Sequence, residues 1–438
     1  MTAIADLSPP PASPPLAAAS GAAPRTARTR SGLWALLARL HFYAGILIAP
    51  FLAIAALTGL AYAFSPQLDQ VLYQHELHVA RIAGTPHSLA DQVAVARIVH
   101  PEGAVATVIP PEAPDATTKV VLAVPGLGDK QRTVYVDPYS NKVRGSLTTW
   151  WGSTPAQTWL DDQHRNLHLG EPGRIYSELA ASWLWVIVAG GLVLWIARRR
   201  TYRGTTSARY ALGPDLSARG VRRTRGWHAS VGVWIAFGLL FLSATGMTWS
   251  RYAGDNFHAA RAALRSDAPV LDTARPGTAA PAAGSMAGHH GMGAPSAAGL
   301  PDGVSVDAVL AAARGAGLSG PVELGVPADA KSTWTVTQTD NTWPVRLDQA
   351  AIDPASGAVT ARADWASYPL IAKLSKLGVQ GHMGRLFGLA NQLALAALAL
   401  GLLTAIFFGY RMWWQRRPQR IRAIAGRAPG RGAWRTVP

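Results

Sequence analysis

The chain has 438 residues, a net charge of +16 and no cysteine. Without cysteine, disulfides, iron–sulfur clusters, thiolate-bound haem and the C-x-x-C-H attachment of c-type haem are excluded. The basic excess is not a nucleic-acid footprint: the arm up to Arg39 holds 4 arginines, residues 198–225 hold 9 and the tail from Arg411 holds 8, opposed in those segments only by Asp6 and Asp215. The long segments 65–178 and 250–381 carry 19 basic and 23 acidic residues and are close to neutral. Charge confined to alternate segments of an apolar chain is a membrane-topology signal.

In chain order, residues 1–32 read as a disordered basic arm rich in Pro and Ala, without a convincing small-residue cleavage site, leading into a first span at 33–64. Residues 65–175 form a first outer domain, with "SLADQVAVARIV" as a short amphipathic helix and "KVVLAVPG" and "RTVYVDPYSNKVRGSL" as strands turning at Asp137-Pro138. A second span follows at 176–197, then an Arg-rich loop at 198–226 and a third span at 227–250. Residues 251–302 read as a linker dominated by Ala, Gly and Pro. The second outer domain, 303–380, repeats the first: "SVDAVLAAARGAG" as the helix, "STWTVTQ" and "QAAIDPASGAVTARAD" as strands. A fourth span, 381–410, and a basic tail, 411–438, complete the chain. Each span is long enough for a bilayer core of about 30 Å. The positive-inside rule puts both termini and the Arg-rich loop in the cytoplasm. "VDPYSNKV" and "IDPASGAV" align without a gap, so the expected fold is a membrane α-helical protein of four transmembrane helices in a duplicated arrangement, with two small α+β domains of one type outside the membrane.

The histidines follow the same duplication. His41 and Thr58 are 17 positions apart, as are His228 and Thr245, and glycine stands at the fourth position after each histidine, Gly45 and Gly232. Both imidazoles fall at the cytoplasmic edge of outward-running spans. The inward-running spans are preceded by "DDQHRNLHLGEPGR", with His164 and His168, and by "VQGHMGRLFG", with His382, all at the outer edge. Ionisable groups in membrane helices are costly and tend to mark function. Two neutral imidazoles from facing helices are what a six-coordinate haem iron needs, and without cysteine the haem is b-type; a pair near each face implies two. Small residues beside the ligands, Gly45, Gly232, Gly170 and Gly384, would let a flat macrocycle approach the backbone. Zinc or copper instead wants three or four ligands at one point, which two layers do not supply. His164 and His168 are four apart on one helical face, so either can serve; the spacing of the repeat favours His168.

"MAGHHGMG" groups Met286, His289, His290 and Met292, a donor set that suits copper, although incidental composition explains it in such a linker. His75, His78, His87, His100 and His258 read as surface residues, and most of the 16 tryptophans as interfacial belt residues, with Trp150, Trp151 and Trp159 close before His164.

The stretches "RLHFYAGILIAPFLAIAALTGLAYAF", "HRNLHLGEPGRIYSELAASWLWVIVAGGLVLW" and "RGWHASVGVWIAFGLLFLSATGMTWS", with the units around "VYVDPYSNKV" and "AAIDPASGAV", resemble the PepSY-associated transmembrane family, often labelled iron-regulated membrane proteins. The resemblance covers about residues 33 to 415. It implies a bacterial inner-membrane protein with two PepSY-like extracytoplasmic domains, similar to dihaem reductases that release iron from ferric siderophores in the periplasm. Carried over, His41, His228, His382 and, from "HRNL", His164 match positions expected to be haem ligands, with His168 a neighbouring match. The expected function is electron transfer across the membrane to a ferric siderophore or similar chelate, because ferrous iron binds hard oxygen donors far more weakly than ferric iron. No G-x-G-x-x-G follows a strand, so a separate cytoplasmic or quinol donor is required. The alternatives are a peptidase-inhibiting or sensing module anchored by its helices, and copper handling through the linker.

Overall fold

The computed structural model describes residues 32–201, 212–277 and 300–425. The N-terminal arm, residues 202–211 of the Arg-rich loop, residues 278–299 of the Ala/Gly/Pro linker and the end of the tail lie outside these residues.

Among the described residues, four helices are long and apolar enough to cross a membrane. They are α1 (Gly32–Ala63), α6 (Gly170–Thr201), α7 (Gly220–Met247) and α11 (Leu389–Ala425). At 1.5 Å per residue their apolar parts of 28 to 30 residues reach roughly 42–45 Å, beyond the hydrocarbon core and into both interfaces. The bundle closes as a ring in which α1 packs on α6 and α11, and α7 packs on the same two helices. Its centre is a layer of Leu52, Ala180, Leu184, Ile235, Leu239 and Ala405. Glycines bring α7 and α11 close: a Cβ on Gly238 would lie 2.4 Å from Leu398, and one on Gly401 2.6 Å from Ile235. Such small-residue contacts let membrane helices gain dispersion energy where no hydrophobic difference from lipid drives them together. Ser243 on α7 adds an interhelical bond, its Oγ donating to the Ala181 carbonyl at 2.8 Å.

Between the first two spans lie α2 (Ser65–Leu72), α3 (Gln74–Leu77), α4 (Leu89–Val99), strands β1 (Ala104–Ile109), β2 (Thr118–Ala123), β3 (Gln131–Asp137) and β4 (Lys142–Thr149), and α5 (Pro155–Asn166). Between the third and fourth lie α8 (Tyr252–Ala263), α9 (Val306–Gly315), strands β5 (Val322–Gly325), β6 (Trp334–Gln338), β7 (Gln349–Ile352) and β8 (Val359–Ala363), and α10 (Leu370–His382). The amphipathic stretches form α4 and α9, each opened by a serine cap: Ser88 Oγ accepts from Asp91 N and Ser305 Oγ from Ala308 N. The two Asp-Pro turns also match. Asp137 accepts from Tyr139 N, Asp353 accepts from Ser356 N, and the aligned Asn141 and Gly357 take φ of 50° and 71°.

The two expected outer units share one sheet. All eight strands form one antiparallel sheet in the order β4-β3-β2-β1-β5-β6-β7-β8, joined where Thr107 pairs with Gly325 and Val108 with Leu324. Each half would otherwise expose an edge strand, β1 or β5, and pairing them satisfies both edges. One hydrophobic cluster runs through both halves, with Val93, Val108, Val120 and Leu122 continuous with Val309, Leu324, Trp334 and Val336. Asp307 on α9 further caps α4, accepting from Leu89 N and Ala90 N at 2.8 and 3.0 Å.

Three boundaries also differ. The second span begins at Gly170 instead of 176, the third at Gly220 inside the expected loop, and the fourth at Leu389, so that 370–382 is a helix of its own. The expected linker begins with helix α8, whose N-terminal N–H groups at Arg251, Tyr252 and Ala253 are taken by the Glu178 carboxylate of α6. Further along, Arg275 NH bonds the Lys331 carbonyl and ties this segment to the sheet.

Candidate functional site: two imidazole pairs

The chain direction carries α1 and α7 toward the sheet and α6 and α11 away from it. His41 on α1 and His228 on α7 thus enter the bundle from opposite corners of the ring at the end remote from the sheet. Their ring centroids are 6.2 Å apart, with planes at 73°. His41 Nδ1 lies 2.9 Å from the Ile187 carbonyl of α6, and His228 Nδ1 lies 2.9 Å from the Ala405 carbonyl of α11. A carbonyl oxygen only accepts, so each Nδ1 carries the proton and each Nε2 keeps its lone pair. One turn beyond each carbonyl stands a glycine under the ring: a Cβ on Gly191 would be 3.0 Å from His41 Cε1, and one on Gly409 would be 3.7 Å from His228 Cε1.

At the sheet end the construction repeats with different parts. His164 on α5 places Nδ1 3.0 Å from Thr58 Oγ1, and His382, the last residue of α10, places Nδ1 2.8 Å from Thr245 Oγ1. The threonine protons are already used, donated to the Ile54 carbonyl at 2.8 Å and the Phe241 carbonyl at 2.7 Å. Each hydroxyl oxygen therefore accepts from its histidine, and Nε2 is again the free nitrogen. The glycines following the threonines, Gly59 and Gly246, seat the rings, with added Cβ atoms 3.2 and 3.3 Å from the two Cε1 atoms. These centroids are 6.5 Å apart, with planes at 69°. Loss of solvation holds His164 below the usual histidine range and His382 down to about 4, so both are neutral at pH 7.

Seventeen residues of helix separate the level of each inner histidine from its threonine, which puts the layers about 25 Å apart along the axis. Among the described residues no group of three or more His, Cys, Asp and Glu side chains converges to hold an ion. The imidazoles come only in twos. Two imidazoles binding one ion from opposite sides through bonds of roughly 2.0 Å place their ring centroids roughly 6 Å apart, and both pairs have that spacing.

A cavity of about 280 Å³ adjoins the outer pair, lined by His164, His382, Gly59 and Gly246, with Arg165 and Arg174 among its polar residues. The Tyr176 hydroxyl in its wall is buried and has no hydrogen-bond partner among the described residues. Asp161 and Glu178 line the same cavity, and Asp161 pairs with Arg165 at 3.0 Å, so Arg174, the apolar walls and the orphaned hydroxyl are what suit a large flat ligand with an acidic edge.

The structure brings together His41 with His228 and His164 with His382. It does not place His168 in a pair: that residue has φ 53°, is exposed and lies against Trp159 at 5.0 Å. The repeat spacing favoured His168, but Leu167 and His168 both adopt left-handed conformations and turn the chain before the second span begins at Gly170. His289 and His290 lie outside the described residues. The glycines expected beside the ligands are not the ones under the rings. Gly45, Gly232 and Gly170 face open space, and Gly384 (φ 78°) makes a turn against Leu395 and Gln392. The seats are Gly59, Gly191, Gly246 and Gly409; two of them belong to the Thr-Gly pairs at 17-residue spacing, the only sequence signal for them.

The spans, the sheet beyond one end and the buried imidazole pairs define a four-helix membrane protein with a polar site in each half of its bundle. The PepSY-associated TM region family matches residues 38–416, and the chain belongs to that family. No curated protein matches it in sequence.

Proposed function

We propose that this protein is a dihaem b-type electron carrier of the bacterial inner membrane, with both termini cytoplasmic, which reduces a ferric siderophore or similar ferric chelate on the periplasmic side. The observation that carries this reading is the pair of facing neutral imidazoles at each end of the bundle, every Nδ1 tied and every Nε2 free. The two span, outer-segment, span units are read as a duplication whose outer parts are PepSY-like. A peptidase-binding module would leave these pairs without a task.

Haem supplies reversible one-electron exchange between ferric and ferrous iron. His41 with His228, and His164 with His382, would hold the two groups, while the carbonyls and hydroxyls on Nδ1 fix the tautomer and ring orientation. Arg174 would supply charge for propionate carboxylates at the outer site, beside Arg165, which is paired with Asp161. Leu52, Leu184, Ile235 and Leu239 make the layer between apolar. Each electron taken from a separate donor converts one ferric chelate to ferrous, whose weaker hold on hard oxygen ligands releases the metal.

The test is the purified protein in mild detergent, with oxidised and dithionite-reduced spectra and a pyridine haemochrome assay. Two haems per chain with a low-spin b-type spectrum are expected; no haem, in protein expressed with haem supplied, sinks the reading. His168→Ala should retain both haems while His164→Ala retains one, and the reverse would reassign the outer ligand. Gly191→Leu should displace the His41 ring and lower the count to about one, because its Cβ alone already meets Cε1 at 3.0 Å.

A further inference from the structure

The two layers use different acceptors for the same Nδ1–H group. At the inner pair the acceptor is an amide carbonyl on both sides, Ile187 and Ala405. At the outer pair it is a hydroxyl on both sides, Thr58 and Thr245, each oriented by donating to its own helix. The same hydroxyls also reach the Ala55 and Leu242 carbonyls of their own helices, at 3.3 Å each. An amide carbonyl is a stronger acceptor than an alcohol oxygen. The stronger the acceptor on Nδ1–H, the more electron density reaches Nε2 and the more basic the ligand becomes. A more basic pair of axial ligands favours the ferric over the ferrous state and lowers the reduction potential.

The same exchange of parts occurs on both members of each pair, so the two contributions add instead of cancelling. At the inner layer a glycine lies under each ring: Gly191 is needed to clear His41, where a Cβ would come to 3.0 Å, while at Gly409 a Cβ would stand at ordinary contact distance, 3.7 Å from His228. At the outer layer the threonine stands directly before the glycine and intercepts the Nδ1–H group. The hydroxyl thus takes the place of the carbonyl as the acceptor of Nδ1–H.

We propose that Thr58 and Thr245 are positioning residues that hold the outer site at a higher reduction potential than the inner one, so that electrons run toward the sheet side. This rests on the dihaem reading above. It makes direction a property of the bundle, independent of which donor or chelate is present.

Optical redox titration of the full-length haem-loaded protein tests it. Wild type should show two transitions, and the two single-site forms assign them: His228→Ala keeps the outer site and should titrate above His164→Ala, which keeps the inner one. Thr58→Val, which preserves shape and removes the acceptor, should raise the upper transition and leave the lower one in place. Thr58→Ser should restore it. A tenfold change in the oxidised-to-reduced ratio is a shift of about 59 mV for one electron, readily resolved. An outer potential at or below the inner one, or a Thr58→Val effect on the inner transition alone, overturns the proposal while two bound haems leave the functional reading intact. Haem-free wild-type protein overturns both. If Thr58→Val fails to accumulate, the comparison of the two single-site forms decides alone.

Discussion

His228→Ala is expected to reduce bound haem from two per chain to one and to abolish electron transfer across the bilayer. The proposed inner site offers only two imidazoles, so losing one would leave a one-sided contact from His41, and no third His, Cys, Asp or Glu converges with them among the described residues. The outer pair should survive. It sits about 25 Å away along the helices and is carried by α5 and α10, neither of which contributes to the inner site. Transfer should stop because the intervening layer is aliphatic, with Leu52, Leu184, Ile235 and Leu239 at its centre. Pyridine haemochrome quantitation reads the first effect. Reduction of an external ferric chelate by vesicles loaded with an internal reductant reads the second. Retention of both haems would remove His228 from the site, and loss of both would show that the layers do not fill independently.

Trp334→Ala should destabilise the sheet by about 3–5 kcal/mol, the range for truncating a large aromatic in a packed core. Trp334 is 1% exposed and is the largest fully buried side chain among the described residues. The informative part is where the loss appears. Trp334 lies on β6, yet the cluster it belongs to includes Val93, Val120 and Leu122 from the other half. Amide hydrogen exchange should therefore show β2 and β3 losing protection together with β6 and β7, as one cooperative unit. Exchange confined to β5–β8 would mean that the β1–β5 seam is a weak contact between two independent bodies.

The seam itself was not legible in the sequence. Both Asp-Pro turns and both helices are local features, written in residues that choose their own backbone, and the structure contains all four. Strands β1 and β5 went unread because "AVATVI" and "VELG" are short and carry no turn signature. Their partner is chosen by open edges more than 200 residues apart, which no local pattern records.

At the candidate site the imidazoles were legible because histidine in an apolar span is conspicuous, and the 17-residue spacing to a Thr-Gly pair doubled the signal. The choice between His164 and His168 was not: helical geometry allows both, and only the turn at Leu167 and His168 removes one of them from the bundle. The seats at Gly191 and Gly409 were equally hidden, since glycine is common in membrane helices.

By itself, then, the sequence determined the number of spans, the side on which the basic segments gather, the absence of any thiolate chemistry and the two levels at which imidazoles stand. Hydropathy, charge and residue type are properties that each segment holds alone. The tertiary structure decided which histidines meet, that the two outer segments share one sheet and one core, and what each Nδ1 faces. Those depend on approach between distant helices, and at the inner pair on backbone carbonyls, a group that every residue carries and that becomes distinctive only when a neighbouring helix brings a ring against it.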